Sequence, residues 1–487
     1  YYAEHPEPEY GPPEEILDTR VAIIGAGPGG LTAAYHLAKK GHLVTVFESE
    51  NEAGGMLRHG MPAYRMPKDV LDRDIKNITA LGVDIRTNTP VSSLKSLKEL
   101  GYDSVFMSVG GQKPRVIPLE GEEHIDVVDC MSFLKETNVG ERPDLKDKDV
   151  VVLGGGNVAM DVARSAVRLG TRSVSIVCLE PRDKMLAHDW EVREAEDEGV
   201  VIRSSAAVKQ VARQEDECPM LELLEVDYIE YNPEGRMTGY QVVEGSEERI
   251  PADTVILSIG LGPSTAAFAG ELELSPGKTI RVDENTLQTS DPQVFSGGDV
   301  VLGPSIIVEA MGQGRRAAFY MDRYLRGESL DAPFDVGPPQ SDKAKVLLRN
   351  QGVSERQPTT PPETPAQERV RDFEPYEGVL SETEAREAAN RCMDCGGCCE
   401  CKLCVSACEA ESVNHSMEER VEEIDVGSII VATGFDPLDP TPMEQYGYGK
   451  YANVFTNLEF ERLSNATGPT AGKLLKRDPN DRFTFTE

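Results

Sequence analysis

The 487-residue chain is short of basic charge, has a single tryptophan and contains no long apolar run. Each shortage removes a class of function. A helix that crosses a bilayer needs about 18 or more consecutive apolar residues, and no stretch of the chain supplies them. No membrane span is therefore expected. Lysine and arginine number 50 against 84 aspartates and glutamates, a formal charge of −34. Such a surface repels a polyanionic backbone, so nucleic acid is not an expected partner. The plainest reading of the acidity is solubility. The first 20 residues are polar, rich in proline and glutamate, and carry no apolar signal segment. They read as a tail, or as a linker from something upstream.

What the chain does have is a dense cysteine run. Seven of its ten cysteines are Cys392, Cys395, Cys398, Cys399, Cys401, Cys404 and Cys408. Within the run, Cys398, Cys401, Cys404 and Cys408 spell C-x2-C-x2-C-x3-C, the spacing that wraps one cubane 4Fe–4S cluster. Thiolates are soft ligands, and two-residue gaps let a tight loop aim successive sulfurs at one cluster. A disulfide scaffold suits short secreted chains. Structural zinc uses four ligands in two separated pairs. Neither matches this run. Cys392, Cys395 and Cys399 are left for a possible second cluster, which would need a ligand of another kind or from another chain. Glu409 stands where bacterial ferredoxins place proline. A cluster favours a reducing compartment, so the cytoplasm is the expected location.

From Val21 to about Leu330, short apolar runs alternate with amphipathic stretches, the α/β signature. Buried strands are expected at Val21–Ile24, Val44–Phe47, Val150–Leu153, Val174–Cys178 and Thr254–Ile259. A Pro/Thr-rich linker follows, placed at 331–380. Ser381 and Glu384 form a capping box ahead of EAREAANR, and that helix feeds the cysteine segment at 381–425. From Val426 another apolar strand begins, in GSIIVATGF.

A Gly-rich unit occurs twice. The first, VAIIGAGPGGLTAAYHLAKKGHLVTVFE, places Gly25, Gly27 and Gly30 between a strand and a helix. The glycines allow the tight turn and let backbone N–H groups approach a pyrophosphate. Glu48 ends the second strand, where a carboxylate can accept ribose hydroxyls. The second unit has Gly154, Gly156 and Ala159, and its second strand ends at Glu180. A bare glutamate there favours the free 2′-hydroxyl of NADH over NADPH. Arg182 lies two residues on and could still hold a 2′-phosphate. A third piece ends a strand in Gly297-Gly298-Asp299, with Gly303-Pro304-Ser305 before a helix.

Residues 21–330 resemble the flavoprotein fold in which an NAD(P) domain is inserted into an FAD domain. Within it they resemble the small subunit of glutamate synthase. The matching stretches are GGMLRHGMPAYRMPKDVLDRDI, VVVLGGGNVAMDVARSAVRLG and GGDVVLGPSIIVEAMGQGRRAA. The resemblance implies an FAD-binding domain at 21–118 and 255–330 around an NAD(P)-binding domain at 119–254. It implies FAD at Gly25, Gly27, Gly30, Glu48, Gly55, Met56, Leu57, Gly298, Asp299, Ser305 and Ile306. Gly60 and Pro62 would lie along the flavin edge. NAD(P) would lie at Gly154, Gly156, Asn157, Ala159, Glu180 and Arg182. There are two departures. That family tends to carry an arginine pair where this chain has Glu180-Pro181-Arg182, and it keeps its cluster cysteines ahead of the FAD domain. The stretch 426–487 resembles a different family, the A subunit of heterodisulfide reductase, through VGSIIVATGFDPLDP and YGYGKYANVFTNLEFERLSNATGPTAGK. It lacks a third Gly-rich loop, so it implies a partial module for docking rather than a second FAD site.

The expected chemistry is a relay. A nicotinamide gives two electrons as a hydride, a cluster accepts one, and a flavin can do both. The fold class is thus α/β, a two-dinucleotide-binding flavoprotein with a cluster segment. The expected function is electron transfer between NAD(P)H and a partner, which would be another redox subunit or a ferredoxin. Three alternatives stay open: a glutamate synthase small subunit proper, a flavin-based bifurcating subunit, and a non-catalytic scaffold. No catalytic side chain is required. Cys130, Cys178 and Cys218 are too far apart for a redox pair and read as buried small hydrophobes. His59 and Trp190 read as structural, and Glu309 as a loop-orienting or solvent-exposed residue.

Overall fold

Branched apolar strands that read as continuous runs belong in parallel sheets covered on both faces, and the two main sheets are of that kind. The structure is a computed structural model. It describes residues 11–212, 218–232, 237–334, 357–391, 427, 428, 432, 434, 437–478 and 481–486. The described residues divide into two compact units. The first holds residues up to Phe334 together with Glu363–Gly378.

In the first sheet, β1 (Arg20–Ile24) pairs with β2 (Leu43–Phe47), which pairs with β3 (Asp84–Arg86). On its other side β1 pairs with β4 (Ser104–Met107). The chain then leaves through β5 (Lys113–Pro114) into a second sheet. That sheet is built from β6 (Asp126–Asp129), β7 (Asp149–Leu153), β8 (Ser173–Val177) and β9 (Val201–Arg203). A smaller antiparallel sheet follows, from β10 (Ala206–Ala212), β11 (Met220–Tyr231), β12 (Met237–Val242) and β13 (Glu248–Pro251). β14 (Thr254–Leu257) then slots between β6 and β7. β15 (Leu261–Gly262) pairs antiparallel with β5, so the chain leaves the insert beside its point of entry. β16 (Val294–Ser296) closes the first sheet beside β4. The strand orders are β16-β4-β1-β2-β3 and β6-β14-β7-β8-β9. In each sheet the connection reverses beside the strand that carries a glycine turn, the place where open α/β sheets bind ligands.

Helices cover the sheets. They are α1 (Pro28–Lys39), α2 (Met56–His59), α3 (Lys68–Ala80), α4 (Leu94–Glu99), α5 (Cys130–Val139), α6 (Asn157–Arg168), α7 (Asp189–Asp197), α8 (Asp299–Leu302) and α9 (Ile307–Leu325). α1 lies against α9, and Leu31, Ala34, Leu37, Ala317 and Met321 pack in one core with Val21, Ile23 and Phe106. All five sequence-expected strands are present, each within two residues of its expected ends.

Glu363–Gly378 lies inside the span read as a linker, yet it joins the first unit. It carries α10 (Ala366–Arg369), and Arg369 and Tyr376 are buried. The second unit is described apart. Its α11 (Glu382–Asn390) starts with the expected Ser381–Glu384 capping box. Its α12 (Asn457–Ser464) starts with a second box, Thr456–Glu459. The strand expected in GSIIVATGF falls mostly on residues outside the described set (429–431, 433 and 435), and the cysteines from Cys392 to Cys408 all lie outside it.

One crossing tests this packing. A Cβ on Gly314 of α9 would sit 2.3 Å from the Gly29 carbonyl oxygen of α1. Gly→Ala within a helix normally stabilises by about 0.5–1 kcal/mol, whereas forcing extra volume into a packed contact costs about 1–3 kcal/mol. Gly314→Ala is expected to destabilise by about 1–2 kcal/mol, read as a lower urea midpoint with unchanged slope.

Candidate functional site

The two Gly-rich units are built alike. Gly25 N–H donates to the Phe47 carbonyl at 2.8 Å, and Ser108 N–H donates to the Ile24 carbonyl at 2.9 Å. In the insert, Gly154 N–H donates to the Val177 carbonyl at 2.8 Å, and Ser258 N–H donates to the Leu153 carbonyl at 2.8 Å. Both glycines have left-handed φ, +100° and +129°. A Cβ would fall 2.4 Å from the Ser108 oxygen in the first turn and 2.2 Å from the Ser258 oxygen in the second. Each turn opens directly into a 12-residue helix, α1 or α6. Unsatisfied N–H groups and the helix dipole make those N-termini suited to a phosphate.

A cavity of about 870 Å³ runs past the first turn and reaches the second Gly-rich turn's helix, α6. Gly25, Gly27, Glu48, Gly55, Met56, Gly60, Gly298, Asp299, Ser305 and Ile306 line it, and so does Asn157, the first residue of α6. Eleven sequence-predicted residues thus share one space. Gly30 stands behind the wall, where a Cβ would lie 2.0 Å from the Gly25 oxygen. Leu57, Pro62, Gly154, Gly156, Ala159, Glu180 and Arg182 do not line the cavity. Ala159 is fully buried in the insert's core. Glu180 lies beside the second turn, with Oε2 3.2 Å from where a Gly155 Cβ would be. Arg182 pairs with Glu196 at 2.8 Å.

The residues present fit an extended dinucleotide. Gly55 has φ +53°, and a Cβ there would come 2.7 Å from the Gly27 Cα. Two backbones approach so closely that any side chain would fill the cradle. Buried Glu48 accepts from Ala26 N–H at 2.8 Å through one oxygen, and from Glu50 N–H at 3.0 Å through the other. A carboxylate has about four acceptor positions, so capacity remains for hydroxyl donors. Ser305 Oγ donates to Asp299 Oδ1 at 2.8 Å. Burial pushes the Asp299 carboxyl above its ordinary value. Phe47, Met131, Leu134, Leu261 and Phe268 supply apolar walls that limit water.

Four wall residues escaped the sequence reading as site residues: Arg65, Asp161, Trp190 and Glu191. Arg65 follows α2, on the outer domain, and reaches across to the insert. Its Nη1 donates to both Asp161 oxygens at 2.8 and 2.9 Å, and its Nη2 lies 2.8 Å from Glu191 Oε1. Burial raises the Asp161 and Glu191 carboxyls, and Arg65 opposes the rise in both. Trp190, expected to pack a helix, is instead 43% exposed at the cavity. Its ring lies 5.5 Å from the Arg65 guanidinium and stacks on His188. No spacing rule flags this set, because its members come from three separate elements.

Cys130 and Cys178 are buried as expected, but Cys218 is exposed. It sits at the edge of the β10–β11 loop, where no core reaches it. His59 is buried, and neither ring nitrogen has a partner among the described residues. Glu309 is exposed. Among the described residues no His/Cys/Asp/Glu group could hold a metal, and no helix is long and apolar enough to cross a membrane. All seven cysteines of the run lie outside the described residues.

Fold and cavity together define a flavoprotein reductase built from two dinucleotide-binding units. Residues 19–314 match the family "Pyridine nucleotide-disulphide oxidoreductase", and the chain belongs to that family. It is an oxidoreductase, and its cofactor class is FAD with NAD(P). The chain is 38% identical over 77% of its length to "NADP(+)-dependent formate dehydrogenase subunit beta" of Moorella thermoacetica, but spans only 54% of that relative. It is 34% identical to "Glutamate synthase [NADPH] small chain" of Escherichia coli, over 61% of this chain and 67% of that one. The fold matches Mycobacterium tuberculosis FprA in complex with NADPH, with a TM-score of 0.54 at 20% identity, over 64% of this chain and 85% of that one.

The cysteines give a direct check on burial. Burial pushes the Cys130 thiol up to about 11 and the Cys178 thiol up to about 12. The thiolate is the reactive form, so both stay protonated and shielded at pH 8. Iodoacetamide on the native protein is expected to label Cys218 and spare Cys130 and Cys178, read by peptide mass mapping.

Proposed function

We propose that the chain is the nicotinamide-oxidising, electron-distributing subunit of a larger redox assembly. It would take a hydride from NADH or NADPH at an FAD and pass single electrons through a 4Fe–4S cluster to a partner. The observation that carries this reading is the shared cavity, with the first glycine turn on one wall and Asn157 at the α6 N-terminus on another. Hydride transfer needs donor and acceptor in contact, at about 3–3.5 Å between reacting atoms, and a single cavity allows it. When bound, FAD supplies the exchange between a two-electron donor and a one-electron acceptor.

The chain's own residues bind and orient. Backbone N–H groups of Gly27 and Gly29 at the α1 N-terminus would hold the FAD pyrophosphate, and Glu48 its ribose. Gly55, Met56 and Gly60 would line the flavin, and Asp299 with Ser305 would fix its far side. Gly154, Gly156 and Asn157 would hold the nicotinamide dinucleotide. Cys398, Cys401, Cys404 and Cys408 would hold the cluster, and Cys392, Cys395 and Cys399 remain for a second. The partner would be another redox subunit or a ferredoxin, with residues 426–487 as the docking segment. Relatives named as subunits of formate dehydrogenase and glutamate synthase support a multisubunit setting.

NADH is the favoured donor. Glu180 stands beside the second turn, and Arg182 is already engaged with Glu196. A 2′-phosphate would meet a carboxylate. Like-charge juxtaposition costs several kcal/mol, so Glu180→Ser is expected to raise kcat/KM for NADPH by about 10-fold or more while changing NADH less. An unchanged ratio would remove Glu180 from the site. Protein purified without oxygen should carry one FAD and about four iron atoms per cluster, with flavin bleaching on addition of NADH. Flavin-free protein contradicts the reading outright. Flavin without iron removes the cluster step alone.

A further inference from the structure

Glu363–Gly378 precedes the cysteine segment in sequence, yet it packs in the same unit as the dinucleotide domains. Two of its residues bury charged or aromatic groups against α6 and α7. Arg369, 5% exposed, donates from Nε to Glu198 Oε1 at 2.7 Å. Tyr376, 4% exposed, donates its hydroxyl to Glu194 at 3.0 Å. Tyr376 and Phe373 also lie 6.1 and 6.2 Å from the ring of Tyr64. Tyr64 is 2% exposed and is covered by the guanidinium groups of Arg168 at 4.0 Å and Arg164 at 5.0 Å. The next residue is Arg65, which bridges to Asp161 and Glu191 at the cavity wall.

We propose that this strap is a working part of the cavity. It clamps Tyr64, Tyr64 sets the position of Arg65, and Arg65 fixes the insert against the outer domain at the nicotinamide end. The proposal rests on the reading that the cavity holds FAD and a nicotinamide dinucleotide. Arg65 and Arg369 are positioning residues. Arg65 belongs to the outer domain, whereas both of its carboxylate partners belong to the insert, so its grip determines how the insert faces the outer domain. The strap's buried contacts run to the same two helices that carry those carboxylates: Tyr376 meets Glu194 of α7 and lies 5.1 Å from the Arg164 guanidinium of α6, and Arg369 meets Glu198 at the C-terminal end of α7. An unsupported loop at Tyr64–Arg65 would leave the bridge to form and break with solvent. The strap removes that freedom by burying the aromatic neighbour.

The experiment uses the full chain, purified without oxygen. Stopped-flow absorbance follows flavin reduction at rising NADH, separating apparent Kd from the limiting rate. Arg65→Met and Arg369→Met are each expected to keep wild-type flavin content and a wild-type rate of reduction by dithionite. Each should lower the limiting rate of reduction by NADH about 10-fold or more. Arg65→Lys should recover part of that loss. Tyr376→Leu serves as a second strap variant should Arg369→Met fail to accumulate. A strap variant that lowers the melting temperature but leaves the limiting NADH rate unchanged overturns the proposal, because the strap is then only structural. A loss in Arg65→Met with none in either strap variant also overturns it. A wild-type flavin that NADH and NADPH both fail to reduce would instead sink the underlying functional reading.

Discussion

Two carbonyl groups, those of Ser108 and Ser258, come so near the turns at Gly25 and Gly154 that no Cβ can stand between them. The rest of the oxidoreductase unit depends on that crowding. It lets the strand after the crossover sit beside the first strand, with Ser108 N–H on the Ile24 carbonyl and Ser258 N–H on the Leu153 carbonyl. It also keeps the turns that open into α1 and α6 free of a side chain at their first glycine. A side chain at either glycine would push the strands apart. That packing constraint is common to both turns, and the two Gly-rich units share their hydrogen-bond pattern while differing at the third position, Gly30 against Ala159.

A second constraint is electrostatic. Glu198 receives Arg164, Arg168 and Arg369, and all four side chains are nearly solvent-free. Moving such charges out of water is costly, and the attraction offsets the cost only where geometry and hydrogen bonding are complete. Burial alone raises the Glu198 carboxyl, but hydrogen bonds from Arg168 and Arg164 outweigh it and hold the group below its ordinary value. A carboxyl depressed in the folded state stabilises the fold above its unfolded value, and that contribution fades as pH falls through the folded one. With Glu194 and Glu363 added, three carboxylates face three guanidiniums. The cluster is neutral in sum and specific in register. It therefore selects one docking position for the strap, where an apolar patch would accept several.

The parts of the site that were legible in the sequence are those fixed by backbone. Strand, turn and helix must follow in order, so the spacing of Gly25, Gly27 and Gly30, or a glutamate at the end of the next strand, can be read from a single chain. The capping box at Ser381 is equally local. Arg65 is 96 positions from Asp161 and 126 from Glu191, and only the fold brings them together. Trp190 looked like helix packing because its neighbours are those of an amphipathic helix. Its ring instead lies over Arg65, a contact that no periodicity encodes. The strap was read as linker because proline and threonine dominate the residues before it. Its buried anchors are two isolated side chains, Arg369 and Tyr376, too few to change a composition.

The order of the segments follows from the range of the chemistry proposed for them. A hydride moves only between atoms in contact, so two dinucleotides must open into one cavity, and inserting one domain within the other enforces that. Paired strands β5 and β15 return the chain to its point of departure, so the insert is tethered at both ends. An electron needs no such contact, only a gap short enough to cross. A cluster segment is consequently free to precede or follow the flavin domain in sequence, provided something fixes the chain that leads to it. Here that chain is Glu363–Gly378, and its anchors meet Glu194 of α7, Glu198 at the end of α7 and Arg164 of α6. A cysteine run displaced to the C-terminal side of the flavin domain is then compatible with the same relay, because contact is required at only one of its two steps.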